Sequence, residues 1–191
     1  MVSTVLEMRV IAGKAKGRAL KSPKGVALRP ASDLIRGAIF SMLESMDCDW
    51  SSVLDLYAGT GSLGIEALSR GALSADFVER NPRCCAIIKE NLENIGLADE
   101  GHVYCFSVAK ALSVLKKRYS LVLMGPPYPD ISAVEFLEQL VASSLVGPET
   151  TIVVQHSTRL PLSPAYGDFH LIKERSHGDT RISIYKQEVL Q

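Results

Sequence analysis

Short apolar segments alternate with amphipathic helical segments through the middle of this chain, and no other feature restricts its fold as strongly. Runs such as SVLDLYA and YSLVLMG have the length of buried strands, and PRCCAIIKENLENIG has the apolar spacing and end signals of a helix. The predicted strands are 52–58, 74–79, 102–107, 119–125 and 150–156, and the predicted helices are 61–71, 82–96, 108–117 and 132–145. Strands separated by helices predict an α/β fold with a doubly wound, mostly parallel sheet.

The last part of the chain has a different pattern. Residues 168–175 and 180–187 have the composition of two strands, and Gly178 with Asp179 between them favours a tight hairpin turn. A C-terminal antiparallel hairpin would therefore complete the sheet and bring it to seven strands. Residues 163–167, just before this hairpin, are predicted to form a loop.

The N-terminal part of the chain is basic. The runs MRVIAG and GRALKS flank a connection that contains glycine, which predicts a small β-hairpin. From Met8 to Pro30 there are seven cations and no acid, although the net charge of the whole chain is zero. These cations are Arg9, Lys14, Lys16, Arg18, Lys21, Lys24 and Arg29. Such a block fits an arm that binds a polyanion, but it also fits a solvated hairpin that binds nothing, and charge alone does not separate the two.

The chain is predicted to contain a basic N-terminal β-hairpin extension at 1–31 and a main domain at 32–191, whose first helix has Ser32 or Asp33 as its N-cap. A chain of 191 residues has room for one domain with a full core. The four cysteines and four histidines lack the spacing of metal ligands, so we expect reduced thiols and no metal site. Because no apolar run reaches membrane length and no signal segment is recognisable, we expect a cytoplasmic protein.

The connection after the first predicted strand is rich in glycine. Gly59, Gly61 and Gly64 form a literal G-x-G-x-x-G between a strand and a helix, and Glu79 ends the next strand, twenty residues after Gly59. This spacing meets the fingerprint of dinucleotide-binding proteins. An NAD enzyme is therefore a competing interpretation, which the loop alone does not exclude.

Asp55 favours a different ligand. It lies four residues before Gly59, where a carboxylate would repel a pyrophosphate. S-adenosylmethionine has no phosphate, and a nearby acid suits both its sulfonium and its ammonium cation. In that arrangement Gly59 and Gly61 let the backbone approach the ligand, the N-terminus of the next helix receives the methionine carboxylate, and Glu79 accepts the ribose hydroxyls.

The stretch from Gly125 through Pro126 and Pro127 to Tyr128 closes the fourth predicted strand. A proline pair followed by an aromatic residue after a buried strand is typical of enzymes that methylate an amino nitrogen. The position before the prolines usually holds Asp, Asn or Ser, whose side chain accepts a hydrogen bond from the target amine. Here that position is occupied by Gly125.

Together these segments carry a family resemblance that covers nearly the whole chain. MRVIAGKAKGRALKSPKGVALRPASDLIRGAIFSML, VLDLYAGTGSLGIEALSRGA, FVERNP, GPPY and HGDTRISIY follow one another in that order. The chain resembles the bacterial small-subunit (16S) ribosomal RNA guanine-N2-methyltransferase family. The resemblance implies a Rossmann-like methyltransferase sheet with a short basic N-terminal extension, S-adenosylmethionine as the cofactor, and ribosomal RNA or the small ribosomal subunit as the partner.

By position, the resemblance also implies functional residues. The pocket for the substrate base spans Gly125 to Tyr128, and the basic hairpin contacts RNA together with Arg36. The implied cofactor contacts are Asp55, Tyr57, Ala58, Gly59, Gly61, Glu79 and Arg80. Ser107 and Val108 stand where the family usually has an Asp followed by a small residue that reads the adenine amino group. Ser107 can accept a hydrogen bond there, although without a charge.

Gly125 bears directly on the expected chemistry. The N2 atom of guanine is a poor nucleophile because its lone pair is delocalised, so preorganised acceptors on its protons assist the transfer, and Tyr128 stacks on the base. Without a side-chain acceptor about 1.5–3 kcal/mol is lost, roughly ten- to two-hundredfold in rate. We therefore expect a slowed guanine-N2-methyltransferase. A non-catalytic RNA-binding homologue is one alternative, and a methyltransferase acting on DNA or protein is another.

Overall fold

The computed structural model describes residues 8–23, 31–127 and 132–187. Its helices are α1 (Asp33–Glu44), α2 (Ser62–Ser69), α3 (Pro82–Ile95), α4 (Val108–Val114) and α5 (Ser132–Val141), with a 3₁₀ turn at Ala98–Glu100. Its strands are β1 (Ser52–Leu56), β2 (Ser74–Val78), β3 (Gly101–Tyr104), β4 (Leu121–Met124), β5 (Thr151–Ser157), β6 (Ala165–Tyr166), β7 (Phe169–His177) and β8 (Thr180–Gln187). None of the helices within these ranges is both long enough and apolar enough to cross a membrane.

The strands form one sheet in the order β3-β2-β1-β4-β5-β8-β7-β6. Neighbouring strands from β3 to β5 are parallel, whereas β8, β7 and β6 are added in antiparallel fashion. This confirms the doubly wound sheet with a C-terminal antiparallel hairpin.

The sheet has eight strands instead of the predicted seven. The additional strand, β6, lies inside the segment 163–167 that was predicted to be a loop. Two residues are too short to show a strand periodicity in the sequence. The pairing depends on packing, since Tyr166 lies opposite Phe169 and its ring meets the Tyr185 ring edge-on at 5.6 Å.

Alternating side chains of the sheet pack into two apolar layers. Val53 of β1 belongs to the layer under α1, α2 and α3, whereas Leu54 and Leu56 belong to the layer under α4 and α5. The helix ends follow their local signals. Ser32 is the N-cap of α1 and accepts a hydrogen bond from the Ile35 N–H, and Gly96 ends α3 with φ 75°.

The predicted N-terminal hairpin is present as a tight turn with one antiparallel bridge between Arg9 and Ala19. It is fixed to α2, where the buried Glu66 carboxylate accepts hydrogen bonds from the N–H groups of Ile11 (2.8 Å) and Ala12 (3.0 Å). Gly13 has φ 81°, and a Cβ there would lie 1.8 Å from the carbonyl oxygen of Ser69. The turn therefore packs against α2 backbone to backbone, which only glycine allows.

Candidate active site at the carboxyl edge of the sheet

The carboxyl ends of the parallel strands β1 to β5 meet along one edge of the sheet. The chain leaves β1 towards β2 on one side, and β4 lies on the other side, so the crevice of a doubly wound sheet opens between them. Tyr57, Glu79, Ser107 and Gly125 follow β1, β2, β3 and β4, respectively. The structure thus brings the sequence-predicted cofactor and substrate residues to a single edge.

The glycine-rich loop has a backbone that few residues can adopt. Gly59 and Gly61 have φ values of 58° and 78°, and Tyr57 has φ 61°, which is unusual for a bulky residue. A Cβ at Gly61 would lie 3.0 Å from the Ile88 side chain, and one at Gly64 would lie 2.4 Å from the Phe77 ring. The first two glycines allow the tight turn before α2, and the third allows α2 to pack closely on β2.

Asp55 points from β1 to the start of α2. Its side chain is buried, and its Oδ2 accepts a hydrogen bond from the Gly64 N–H at 2.9 Å. Gly61, the N-cap of α2, has no side chain to do this, so Asp55 caps the helix from the strand. Burial raises the pKa of Asp55 to about 7, an effect that the hydrogen bond from Gly64 opposes and the charge of Glu79 reinforces. A cationic ligand at this edge would restore the ionised form.

Glu79 connects two backbone segments at the same edge. Its Oε2 accepts a hydrogen bond from the Gly59 N–H (2.9 Å), and its Oε1 accepts one from the Asn81 N–H (2.8 Å). Each carboxylate oxygen has a second lone pair, so the fixed side chain can still accept hydrogen bonds from a pair of ribose hydroxyls. Arg80 beside it is exposed.

Ser107 begins α4 as its N-cap. Its hydroxyl oxygen accepts a hydrogen bond from the Lys110 N–H at 3.3 Å, and Val108 is buried behind it. The hydroxyl proton of Ser107 is not used in this contact. Ala58 is buried under the glycine-rich loop. These residues line the end of the edge that the sequence assigns to the cofactor.

Gly125 leaves open space on the substrate side of the crevice. Its N–H donates a long hydrogen bond of 3.4 Å to the carbonyl oxygen of Leu56, and its φ is outside the left-handed region. No atom of the described residues lies within 4 Å of the position that a Cβ would take. Pro126 is buried and Pro127 is exposed, whereas Tyr128 lies outside the described residues. A side chain at position 125 would therefore be unstrained, and no described residue would obstruct its Cβ.

The N-terminal hairpin lies along α2 and α3, and its turn is near the opposite, amino edge of the sheet. Lys14 pairs with Glu100 (2.7 Å) just before β3, and Lys21 pairs with Glu90 of α3. Arg18 donates a hydrogen bond to the carbonyl oxygen of Asn94, and Arg9 donates one to that of Gly17. Lys16 is exposed, and it has no ion pair among the described residues. Lys24 and Arg29 lie outside the described residues.

Arg36 has a place that the sequence did not predict. Its side chain is fully buried and donates hydrogen bonds to the carbonyl oxygens of Ala31 and Arg9 and to the carboxylate of Asp33. A guanidinium in this position holds the start of α1 against the hairpin and is not exposed to a phosphate. This corrects the expectation that Arg36 contacts RNA: its position on α1 turns it towards the protein interior.

Asn91 is a residue that sequence reasoning missed. It is fully buried on α3, where its Oδ1 accepts a hydrogen bond from the Lys21 N–H at 2.8 Å. Its Nδ2 donates to the carbonyl oxygens of Lys21 (3.1 Å) and Thr60 (3.2 Å). The side chain therefore joins the basic hairpin to the glycine-rich loop. An asparagine on an amphipathic helix carries no signal of such a role.

The cysteines Cys48, Cys84, Cys85 and Cys105 are free thiols. Burial raises the pKa of Cys85 to about 12, and its Sγ donates a hydrogen bond to the carbonyl oxygen of Glu79. Within the described ranges, no group of three His, Cys, Asp or Glu side chains is arranged to hold a metal ion.

Comparisons with known proteins extend over nearly the whole chain. A family model described as "Conserved hypothetical protein 95" matches residues 8–186. "Putative rRNA methyltransferase YlbH" of Bacillus subtilis (strain 168) is 33% identical over 183 residues, 94% of this chain and 99% of that protein. "Ribosomal RNA small subunit methyltransferase D" of Escherichia coli (strain K12) is 28% identical over 187 residues, 95% of this chain and 91% of that protein. The solved structure "Putative methyltransferase yhhF from Escherichia coli" has a TM-score of 0.82 at 29% identity and covers 95% of this chain and 98% of that chain.

Proposed function

The chain belongs to the bacterial small-subunit ribosomal RNA methyltransferase family, whose matching model is described as "Conserved hypothetical protein 95", and on that premise we propose that it methylates the exocyclic N2 of a guanine in small-subunit ribosomal RNA. The observation that carries this proposal is the joint placement of two features at the crevice. A buried acid lies beside the glycine-rich loop, and a Gly-Pro-Pro segment follows the neighbouring strand β4.

S-adenosylmethionine is the cofactor of this family, and it supplies an activated methyl group when bound. The residues of this chain fit it. Burial disfavours the ionised form of Asp55, so a cationic ligand beside it would be bound favourably. Glu79 is held by two backbone N–H groups and offers its remaining lone pairs to hydroxyls. The start of α2, with its backbone N–H groups, suits a carboxylate.

On the substrate side, Pro126 and Pro127 restrict the backbone after β4, so that the carbonyl oxygens there form preorganised acceptors for the amino protons of guanine. Gly125 contributes no side-chain acceptor. Holding the amine in line with an activated methyl group still accelerates the transfer, so the enzyme is slowed but active. Tyr128 is proposed as the surface on which the base stacks.

The basic hairpin is proposed as one RNA contact. Lys16 is an exposed cation without an ion pair among the described residues, and Arg9 and Arg18 are exposed as well, Arg18 beside α3. Lys24 and Arg29 belong to the same basic block of the sequence. Contacts of this kind bind phosphates without reading bases, so they provide affinity rather than the choice of nucleotide.

One observation favours a second candidate function, a non-catalytic RNA-binding homologue. Gly125 offers no charged acceptor, and Ser107 offers an uncharged oxygen that already caps α4. A protein that keeps the fold and the cofactor site could hold RNA without methylating it. The two candidates differ in a single measurable property, which is methyl transfer.

The test is transfer of tritiated methyl groups from S-adenosylmethionine to three substrates in parallel: naked small-subunit ribosomal RNA, assembled small subunits that lack the modification, and DNA. Label at guanine N2 of either RNA substrate supports the proposal. Label in DNA alone would replace RNA as the substrate. RNA binding without label in any substrate would favour the non-catalytic homologue.

A further inference from the structure

The end of β5 with the loop after it (157–160), and the adjoining ends of β7 and β8 with the turn between them (175–181), form one surface, here called the C-terminal tip. Resting on the proposed function, we infer that the C-terminal tip binds the phosphates that flank the target nucleotide in RNA. The motif HGDTRISIY contributes to this surface, and neither the cofactor site nor the catalytic segment uses it.

The sheet topology places the C-terminal tip beside the catalytic segment. β5 is parallel to β4, so residues 157–160 emerge at the same edge as Gly125. β7 is antiparallel to β8, which is antiparallel to β5, so β7 also ends at this edge. The two parts of the tip are joined, because Ser157 pairs with Thr180 and the Thr158 N–H donates to the carbonyl oxygen of Asp179 at 2.9 Å.

A buried histidine fixes the first part of the tip. The Nδ1 of His156 lies 3.0 Å from the carbonyl oxygen of Ser157 and 3.1 Å from that of Leu160, and it donates to them because carbonyls only accept. Its Nε2 lies 2.9 Å from the hydroxyl oxygen of Ser183, which also lies 2.9 Å from Oε1 of Glu174. The loop is therefore held in shape before any partner binds, which lowers the entropic cost of binding.

The tip presents cations that no described residue neutralises. Arg159 and Arg175 are exposed, and neither side chain has an ion pair among the described residues. Arg181 faces Glu174 at the longer distance of 3.5 Å. The fork of a guanidinium matches a phosphate with two parallel hydrogen bonds, so arginines suit this ligand better than lysines do.

The order of the proposed sites along the edge favours RNA as the ligand of the tip. The loop after β1 and the residues after β2 and β3 are occupied by the cofactor, and the target base belongs at Gly125 after β4. The nucleotides next to that base must continue along the edge, and the C-terminal tip follows directly after β4 on the side away from the cofactor. Two exposed arginines there meet the charge of the RNA backbone.

The experiment compares two double variants with the same change in charge. Arg159→Gln/Arg175→Gln removes the exposed cations of the tip, and Lys89→Gln/Lys116→Gln removes two exposed cations from α3 and the segment before β4. The dissociation constant for naked small-subunit ribosomal RNA is measured by fluorescence anisotropy over a range of salt concentrations. Methyl transfer to the same RNA gives KM and kcat, and calorimetry gives the affinity for S-adenosylmethionine.

The tip variant is expected to lower the slope of log K against log salt by about 1.4–1.8, since each lost phosphate contact removes about 0.7–0.9. Its KM for RNA should rise with kcat unchanged, and its cofactor affinity should match wild type. Arg159→Lys/Arg175→Lys should keep the slope because the charges remain. An unchanged slope and KM in the glutamine variant, or an equal loss in the control, overturns the inference. Wild-type protein that binds cofactor but neither binds nor methylates RNA overturns the proposed function as well.

Discussion

The two halves of the carboxyl edge are built differently. At the ends of β1 and β2, Asp55 and Glu79 accept hydrogen bonds from the N–H groups of Gly64, Gly59 and Asn81. After β4 and β5, Gly125 has no neighbouring atom of the described residues within 4 Å of a Cβ position, and the arginines of the C-terminal tip are exposed. The half proposed for the cofactor is assembled by the protein itself, whereas the half proposed for the substrate leaves space and charge for a partner to complete.

This difference matches the two ligands. A small cofactor that recurs in every turnover gains affinity from acceptors that are already in place, because little entropy is lost on binding. A large RNA brings its own rigid base and phosphates, so the protein needs space for the base and unpaired cations for the backbone. Changes at Gly125 and at Asp55 should each affect one half and leave the other unaltered.

The largest effect is expected from filling the empty position in the substrate half. Gly125→Asp should raise single-turnover methyl transfer to guanine N2 by roughly ten- to two-hundredfold, the value of a restored charged acceptor. The φ of Gly125 and the space around it permit the side chain. Small subunits that lack the modification are the substrate, and cofactor affinity should not change.

Gly125→Ala is the matched control, since it adds a Cβ without an acceptor and should give no gain. If wild type already matches a relative with Asp at this position, another group supplies the acceptor, and Asp130, a carboxylate five residues further along the sequence, is the first residue to substitute. Inert wild type and Gly125→Asp proteins that still bind cofactor and RNA would support the non-catalytic homologue.

The next effect concerns the charge in the cofactor half. Asp55→Asn should weaken S-adenosylmethionine binding by about ten- to a hundredfold in calorimetric titration, because a charged contact is lost. Asp55→Ala should do the same and also leave the Gly64 N–H without its acceptor, which costs about 1–3 kcal/mol in the free energy of unfolding. Ser107→Ala should cost less than about tenfold in affinity. A larger loss from Ser107→Ala, or tight NAD binding by wild type, would contradict the assignment of this half.

The same carboxyl predicts a pH dependence. The folded protein keeps the Asp55 proton up to about pH 7, whereas the unfolded chain loses it near its ordinary value of 3.8. The folded state thus binds more protons between these values, so stability should fall as pH rises through this range, by up to about 1.4 kcal/mol per unit. Cofactor cations favour the ionised form, so affinity should rise towards pH 7, by up to about tenfold per unit. Asp55→Asn should remove both trends, and identical pH profiles for the two proteins would contradict the raised pKa.

The smallest effect is expected from the paired cations of the N-terminal hairpin. Lys14→Gln/Lys21→Gln should lower the salt slope of RNA binding by less than about one unit, because Glu100 and Glu90 already neutralise these charges. Replacing Lys16 and Arg18 instead should lower it more. If Lys14→Gln/Lys21→Gln flattens the slope more than Arg159→Gln/Arg175→Gln does, the hairpin and not the C-terminal tip dominates RNA binding.

Local sequence signals predicted much of the fold. The strand that contains Asp55, the glycine turn before α2 and the N-cap at Ser32 each depend on neighbouring residues, and each is confirmed. The strand β6 was not predicted because two residues are too few to show a strand pattern. Its pairing depends on β7, where Phe169 lies opposite Tyr166. The burial of Arg36 was not predicted for a related reason, because it depends on the hairpin that packs over α1.

The sequence by itself determined the alternation of strands and helices, the G-x-G-x-x-G loop and the absence of a side chain at Gly125, because backbone preference and side-chain periodicity act over a few residues. Only the tertiary structure decided that Asp55 caps α2, that Lys14 and Lys21 meet acids, and that Arg159 and Arg175 meet none in the part of the chain that the structure describes. These contacts join residues that are distant in the sequence. They follow from which surfaces pack together, and local propensities carry no information about that.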